Sequence, residues 1–316
     1  MTPGRQPASA SASRRGVLEV LGAAVLFGTT GTTASFAPAS AGPVAVGAAR
    51  LVIGGLGLFA VLPLLGGSRR AAIGLWRSPW GLGAGLMTAL YQLAFFAGVA
   101  RAGVALATLV TIGSGPILVG MLSWALIRER PSRTWWVSTL VCVAGLALLT
   151  FDGAGRPAVD IGGLGFSLAA GFGYAAFTVA AKRLMLGGTL PADAMASFFG
   201  LGGLVLLPVL LATGPAWLAT AAGLGVALWL GLAATTAAYV LFGRGLHKLP
   251  AGPAATLVLA EPLVAAMLGV GLLGERLGVA GWVGAALVAV GLGLQGLAST
   301  GGRDAGEGNV VEAALA

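Results

Sequence analysis

The chain is a succession of apolar runs, each near the length of one membrane crossing, joined by short polar links. Roughly 20 apolar residues in a helix span the hydrocarbon core of a bilayer. Such runs occupy 16–36, 43–65, 81–100, 103–127, 135–151, 161–181, 195–213, 220–243, 251–273 and 279–298. Hydrocarbon offers no water to the backbone, so each segment must satisfy its own N–H and C=O groups, and that requires helix. Composition agrees: 57% of the 316 residues are hydrophobic, only 9% are charged, and the mean hydropathy is +0.95. A soluble domain carries nearer a quarter of charged residues. The fold class expected is therefore an all-α integral membrane protein with ten transmembrane helices.

The net charge of +8 does not point to nucleic acid, because the basic residues sit in links between apolar runs and form no stripe. They report topology instead. With the N-terminus inside, fourteen of the 18 Lys and Arg residues fall in cytoplasmic segments, three (Arg101, Arg156, Arg276) in outer ones, and Arg50 lies within a span. The excess of positive charge on one side gives an N-in, C-in orientation and an inner (plasma) membrane location. Residues 1–15 and 299–316 are small and polar and are expected to be disordered cytoplasmic ends. Cys142 stands alone, so neither a disulfide framework nor a cysteine metal cluster is expected. The stretch "SRRGVLEVLGAAVLFG" imitates a twin-arginine leader, but nine further spans follow it and it has a counterpart later in the chain.

That counterpart belongs to an internal repeat. "GPILVGMLSWALIRERP" at 115–131 aligns with "EPLVAAMLGVGLLGERL" at 261–277 under a shift of 146 residues. The same shift pairs Trp136 with Trp282 and Gly145-Leu146 with Gly291-Leu292. Upstream, a shift of 148 pairs Tyr91 with Tyr239 and "ATLV" at 107–110 with "ATLV" at 255–258, so two residues enter the first copy just before Pro116. Each copy, 16–151 and 161–298 with a linker at 152–160, holds five spans. Five is odd, so the second copy enters the membrane from the opposite side. Two inverted five-helix repeats are an architecture of secondary transporters, which bind substrate near the midplane where helices are broken.

Both copies end in an acidic-basic turn before the last span, RERPS and GERLG. With "AEPLVAAMLGVGLLGERLG", these turns resemble the two EamA domains of the drug/metabolite transporter superfamily, over about 16–298. The resemblance implies ten helices, a central cavity between the halves, and transport or export of small metabolites, amino acids or drugs. It does not name the substrate.

Glu261 leads the candidates for the substrate pathway. A charge at the bilayer centre is costly, and this one lies beside Pro262, roughly 16 Å along its span at 1.5 Å per residue. Its counterpart in the first copy is Gly115, so the carboxylate breaks the internal symmetry. It can exchange a proton, bind a cationic group, or tie down backbone freed by Pro262. Pro116 and Pro262, both near mid-membrane, are the expected helix breaks. Arg50, roughly 10 Å inside its span, can pair with Glu261, grip an anionic substrate, or snorkel to the headgroups. Tyr91, Gln92, Ser114, Tyr174 and Tyr239 complete the candidate pathway, the Tyr91 and Tyr239 pair being repeated in both halves. The threonines near 29–33 read more simply as bonding their own helix. Glu129 and Glu275 sit at the turns and read as loop and cap chemistry.

No cofactor, metal or nucleic-acid partner is expected; the partners are a small-molecule substrate and the lipid bilayer, with proton coupling or exchange left open. No GxxxxGK[ST] loop is present for ATP chemistry. An enzyme acting on lipids would want clustered acids, His or metal ligands, and the chain has one His. A non-transporting sensor or a channel is the other alternative. A ten-span unit can form a pathway alone, so monomer and homodimer are both open.

Overall fold

The computed structural model describes residues 10–152 and 160–301. The described residues fold into helices: α1 (Ala10–Ala34), α2 (Pro43–Val61), α3 (Arg69–Gly74), α4 (Pro79–Ile127), α5 (Arg133–Phe151), α6 (Ile161–Leu186) and α7 (Pro191–Ala212). The second part continues with α8 (Ala221–Leu228), a π-helical stretch Trp229–Ala237, α9 (Ala238–Lys248), α10 (Ala251–Leu257), α11 (Ala260–Leu272) and α12 (Val279–Gly301). Nine of these segments, counting α8 to α9 and α10 to α11 as one each, are long and apolar enough to cross a membrane. The chain is a multi-pass membrane protein.

The helix starts follow from local chemistry. Ser68, Ser78, Ser132 and Thr220 each accept a bond from a backbone N–H in the first turn of the following helix, which satisfies one orphan donor. Pro43, Pro79 and Pro191 stand at first helical positions, where a missing N–H costs nothing.

Several boundaries differ from the sequence reading; α7 starts at Pro191 rather than 195, and the segment begun by α8 runs to Lys248 rather than 243. Helix α1 begins at Ala10 rather than 16, because "ASASRR" meets no Pro or Gly that would stop the helix from extending; residues 1–9 and 302–316 lie outside the described residues. Most of the expected linker, 153–159, lies outside them too. The runs 81–100 and 103–127 form one continuous segment, α4, of 49 residues. Its backbone leaves helical geometry only at Gly103, with φ 80° and ψ 160°, a conformation that glycine adopts readily and other residues avoid. Lastly, α6 runs to Leu186, so Lys182 and Arg183 belong to the helix rather than to a link.

Helices meet at backbone distance where side chains are absent. In the α2–α7 crossing, a Cβ on Gly55 would lie 2.5 Å from the Phe199 carbonyl oxygen, and one on Gly203 would lie 2.9 Å from that of Leu51. In the α5–α12 crossing, a Cβ on Gly145 would meet the Gly284 carbonyl at 2.6 Å and the Val288 nitrogen at 2.8 Å. One on Gly291 would meet Cys142 Sγ at 2.5 Å and the Ser138 carbonyl at 2.8 Å. Small residues at such positions let helices approach closely where lipid supplies no hydrophobic drive between them.

At one end of the bundle, the turn between α9 and α10 is gripped from three sides. Lys182 donates to the carbonyls of Leu246 at 2.9 Å, His247 at 3.3 Å and Leu249 at 2.6 Å. Lys248 pairs with Glu19 of α1. The Glu129 carboxylate accepts from the Ala251 N–H at 2.9 Å. At the other end, Arg101 pairs with Asp160 at 3.2 Å in the open.

Candidate functional site

Between α4, α6, α10 and α11 lies a cavity of about 30 Å³. Its walls are Tyr91, Thr111, Ile112 and Pro116 of α4, Tyr174 of α6, Ala255 of α10, Val258 and Leu259 at the break, and Glu261 of α11. A water needs about 10–15 Å³ of such space, so the cavity has room for about two or three. Anything larger can enter only if helices part.

The break between α10 and α11 delivers Glu261 to the cavity. A proline ring clashes with the carbonyl four residues earlier, which for Pro262 is Val258. The chain yields there: Leu259 N–H bonds to the Thr256 carbonyl at 3.0 Å and Glu261 N–H to that of Val258 at 2.8 Å, both three residues back. From α1, Gly28 presses on this joint, since a Cβ there would lie 2.8 Å from the Glu261 carbonyl oxygen. Among the described residues the Glu261 carboxylate has no hydrogen bond and no ion pair within 4 Å. Pro116 behaves differently. Helix α4 keeps helical dihedrals through it, although the first copy carries two extra residues just before it.

Aromatic rings flank the carboxylate. The Tyr91 and Tyr174 rings stand 6.4 Å apart at 51°, and the buried Tyr174 hydroxyl has no hydrogen-bond partner among the described residues. Tyr239, the repeat partner of Tyr91, is not in the cavity wall. It is buried in an aromatic cluster, 3.8 Å from the Phe199 ring and 4.9 Å from that of Phe27.

Arg50 turns inward rather than to the headgroups. It donates from Nε to Thr235 Oγ1 at 3.0 Å and from a terminal nitrogen to the Ala234 carbonyl at 3.2 Å. Thr235 and Thr236 in turn bond to the carbonyls of Leu230 and Gly231, five residues back, as a π-helix dictates. The change from π to α winding frees the Ala234 carbonyl, because the Ala238 N–H turns to Ala233 and Thr235. The guanidinium fills that vacancy. Arg50 and Glu261 are near enough to interact Coulombically, but they do not form an ion pair within 4 Å.

Two further candidates face away from the cavity wall. Gln92 packs against α2, its amide nitrogen 2.4 Å from where a Cβ on Gly47 would be. Ser114 donates to the Thr111 carbonyl of its own helix at 3.4 Å and lies over Gly171. The structure thus brings together Tyr91, Tyr174, Pro116 and Glu261, with Arg50 one helix away. Thr111 and Thr235 escaped the sequence reading. Their signal was weak, since a membrane threonine most often bonds its own helix, whereas Thr111 donates across to the Ser167 carbonyl at 3.0 Å. Among the described residues no group of three His, Cys, Asp or Glu is placed to hold a metal ion.

With that geometry in view, comparison with known proteins is informative. The EamA-like transporter family matches residues 14–151 and again 161–296. A Bacillus subtilis protein named as an uncharacterized transporter, YwfM, is 41% identical over 276 residues, covering 87% of this chain and 91% of its own. A Salmonella typhimurium protein named as an uncharacterized inner membrane transporter, YicL, is 27% identical over 292 residues, covering 87% and 93%. A crystal structure 20% identical superposes with a TM-score of 0.76 over 92% of this chain and 98% of its own, a likeness of fold. These matches point to a membrane transporter rather than an enzyme, and the chain belongs to the EamA-like transporter family.

Proposed function

We propose that the protein is a secondary transporter of the inner membrane, exporting small metabolites, amino acids or drugs by alternating access between two inverted five-helix repeats. Ten crossings are favoured over nine by the length of α4. At 1.5 Å per residue its 49 residues would reach about 74 Å, more than twice the roughly 30 Å of a hydrocarbon core. The chain reverses at Gly103, and α4 crosses twice. With the positive residues inside, both termini are cytoplasmic. The Salmonella relative's name, an inner membrane transporter, supports that location.

The inverted relationship of 16–151 and 161–298 is supported by contacts that recur with their roles exchanged. Gly55 meets Phe199, and its equivalent Gly203 meets Leu51, which is the equivalent of Phe199. Gly145 meets Gly284 and Val288, and its equivalent Gly291 meets their equivalents Ser138 and Cys142. Reciprocal pairs of this kind arise where two copies face each other across a twofold axis. The cavity lies between the copies, and one chain carries the whole pathway.

The observation that carries the reading is Glu261, a carboxylate at mid-span in a wall between repeats, with no partner of its own. A charge held there without a structural bond serves what passes through. With the Tyr91 and Tyr174 rings beside it, it suits a substrate that offers a cationic amine. In the absence of substrate the same group can carry a proton, which gives coupling or exchange. The test compares metabolites released by cells that overproduce the protein with those released by cells making Glu261→Gln at equal membrane abundance. Enrichment of a few amines by the intact protein alone supports the reading. Equal enrichment by both removes Glu261 from the mechanism, and no enrichment by either removes export.

A further inference from the structure

The two acidic-basic turns have the same backbone and different attachments. In the first, Arg128 adopts φ 61° and the Glu129 N–H bonds to the Ser123 carbonyl at 3.2 Å. In the second, Gly274 adopts φ 69° and the Glu275 N–H bonds to the Gly269 carbonyl at 3.1 Å. Under the 146-residue shift these are equivalent positions making the same bonds, with glycine standing in the second copy where the first has Ser123 and Arg128. The carboxylates differ in what they reach. Glu129 reaches across to the Ala251 N–H at 2.9 Å and so ties the α9–α10 turn shut. Glu275 folds back over Gly269, with Oε2 2.3 Å from where a Cβ would stand there. The position equivalent to Gly269 is Ser123, whose side chain fills that space in the first copy.

The target of Glu129 has an equivalent as well. Under the 148-residue shift, Ala251 corresponds to Gly103, where α4 leaves helical geometry. Ala251 is buried and Gly103 is exposed, with nothing within 4 Å of where its Cβ would be. Leu249 is 1% exposed, whereas its equivalent, Arg101, has 54% of its side chain exposed. The α9–α10 turn is held by a carboxylate, whereas its twin rests on α6, where Arg101 and Ala102 pack against Gly162 and Gly163.

We infer that Glu129 and Glu275 are alternating latches: Glu129 holds the inner turn closed in this conformation, and Glu275 swings off Gly269 to hold the outer turn through the Gly103 N–H in the opposite one. The inference rests on the inverted-repeat transporter reading above. A carboxylate bonded to backbone N–H is a charge-assisted hydrogen bond, and losing one moves the ratio of the two states about tenfold or more. Gly269 is what permits two positions for Glu275, so restoring the first copy's serine there should drive Glu275 outward.

The test is hydrogen–deuterium exchange of the full chain in lipid nanodiscs, followed in peptides covering 246–254 and 98–106. Glu129→Ala should speed exchange in the first and slow it in the second. Glu275→Ala should do the reverse. Gly269→Ser should act like Glu129→Ala without disturbing the inner latch itself, and adding Glu275→Ala to it should cancel the effect. Variants that alter only their own turn, or a Gly269→Ser effect that survives loss of Glu275, overturn the latches. Release assays on the same variants separate the two levels. Transport without reciprocal exchange sinks the latches alone, and reciprocal exchange without transport of any compound sinks the transporter reading.

Discussion

Arg50 donates from Nε to the Thr235 hydroxyl at 3.0 Å, and that hydroxyl donates onward to the Leu230 carbonyl at 2.8 Å. The charge that sequence left between substrate, headgroups and Glu261 is therefore anchored in the π-helical stretch before α9. Arg50→Ala leaves the Ala234 carbonyl without its donor in a buried setting, an expected loss of about 1–3 kcal/mol. Arg50→Lys keeps the charge but not the planar fork, and should recover less than half of it. Thermal unfolding in detergent measures both. Equal stability of all three proteins would show the bonds to be idle.

Glu261→Gln should leave the protein folded and change transport, by lowering its rate or by flattening its response to pH. The amide has the carboxylate's shape without its charge, and no bond to the Glu261 side chain is lost among the described residues. Transport measured across pH 5 to 9 in vesicles decides the matter. Unchanged rates throughout would remove the role.

At Gly28 the prediction is steric. A Cβ would lie 2.7 Å from that of Val264 and 2.8 Å from the Glu261 carbonyl oxygen, with backbone on one side that cannot give way. Gly28→Val should cost about 1–3 kcal/mol by overpacking and impair transport by displacing Glu261. Gly31→Ala, three residues on, meets nothing within 4 Å and should be silent. A melting curve for each, beside the parent, is enough to check it.

Lys182 bonds three carbonyls around the α9–α10 turn. Replacing it with Met keeps the length of the side chain and strands those acceptors, an expected loss of about 3 kcal/mol. Limited proteolysis at 244–252 should accelerate in parallel with the fall in melting temperature. A variant as resistant as the parent would contradict this assignment.

Asp160 gives the pH prediction. Bonds from the Gly163 N–H at 2.6 Å and then from Arg101 hold its carboxyl below the usual value of 3.8. A carboxyl depressed in the folded state adds stability above its unfolded pKa and loses it as pH falls through the folded one. Asp160→Ala should therefore lower the melting temperature equally at pH 7 and pH 5, and the two proteins should converge only in stronger acid. A gap that closed by pH 5 would refute it.

Much of this architecture is written in apolar run length and in the repeat, because a bilayer imposes both on any chain that crosses it. The start of α1 at Ala10 was not legible, since Ser and Ala neither stop nor demand a helix. Gly103 could not be singled out among 54 glycines, although it alone leaves helical geometry within α4. Pro116 and Pro262 read alike, yet of the two only Pro262 stands at a break, and the copies differ in length by two residues at that point. Tyr91 and Tyr239 match in sequence and part company in space, one in the cavity wall and the other in the aromatic core. Repetition fixes where a residue stands on its helix, while the neighbours that decide its use come from elsewhere in the chain.

The cavity at Glu261 has room for only about two or three water molecules. A cell stores work as ion gradients, and any protein with a wet continuous passage would discharge them. On the transport reading proposed above, a pathway this narrow around Glu261 lets many idle copies sit in a membrane without short-circuiting it. On the same reading, the insulation of the membrane survives the traffic through it.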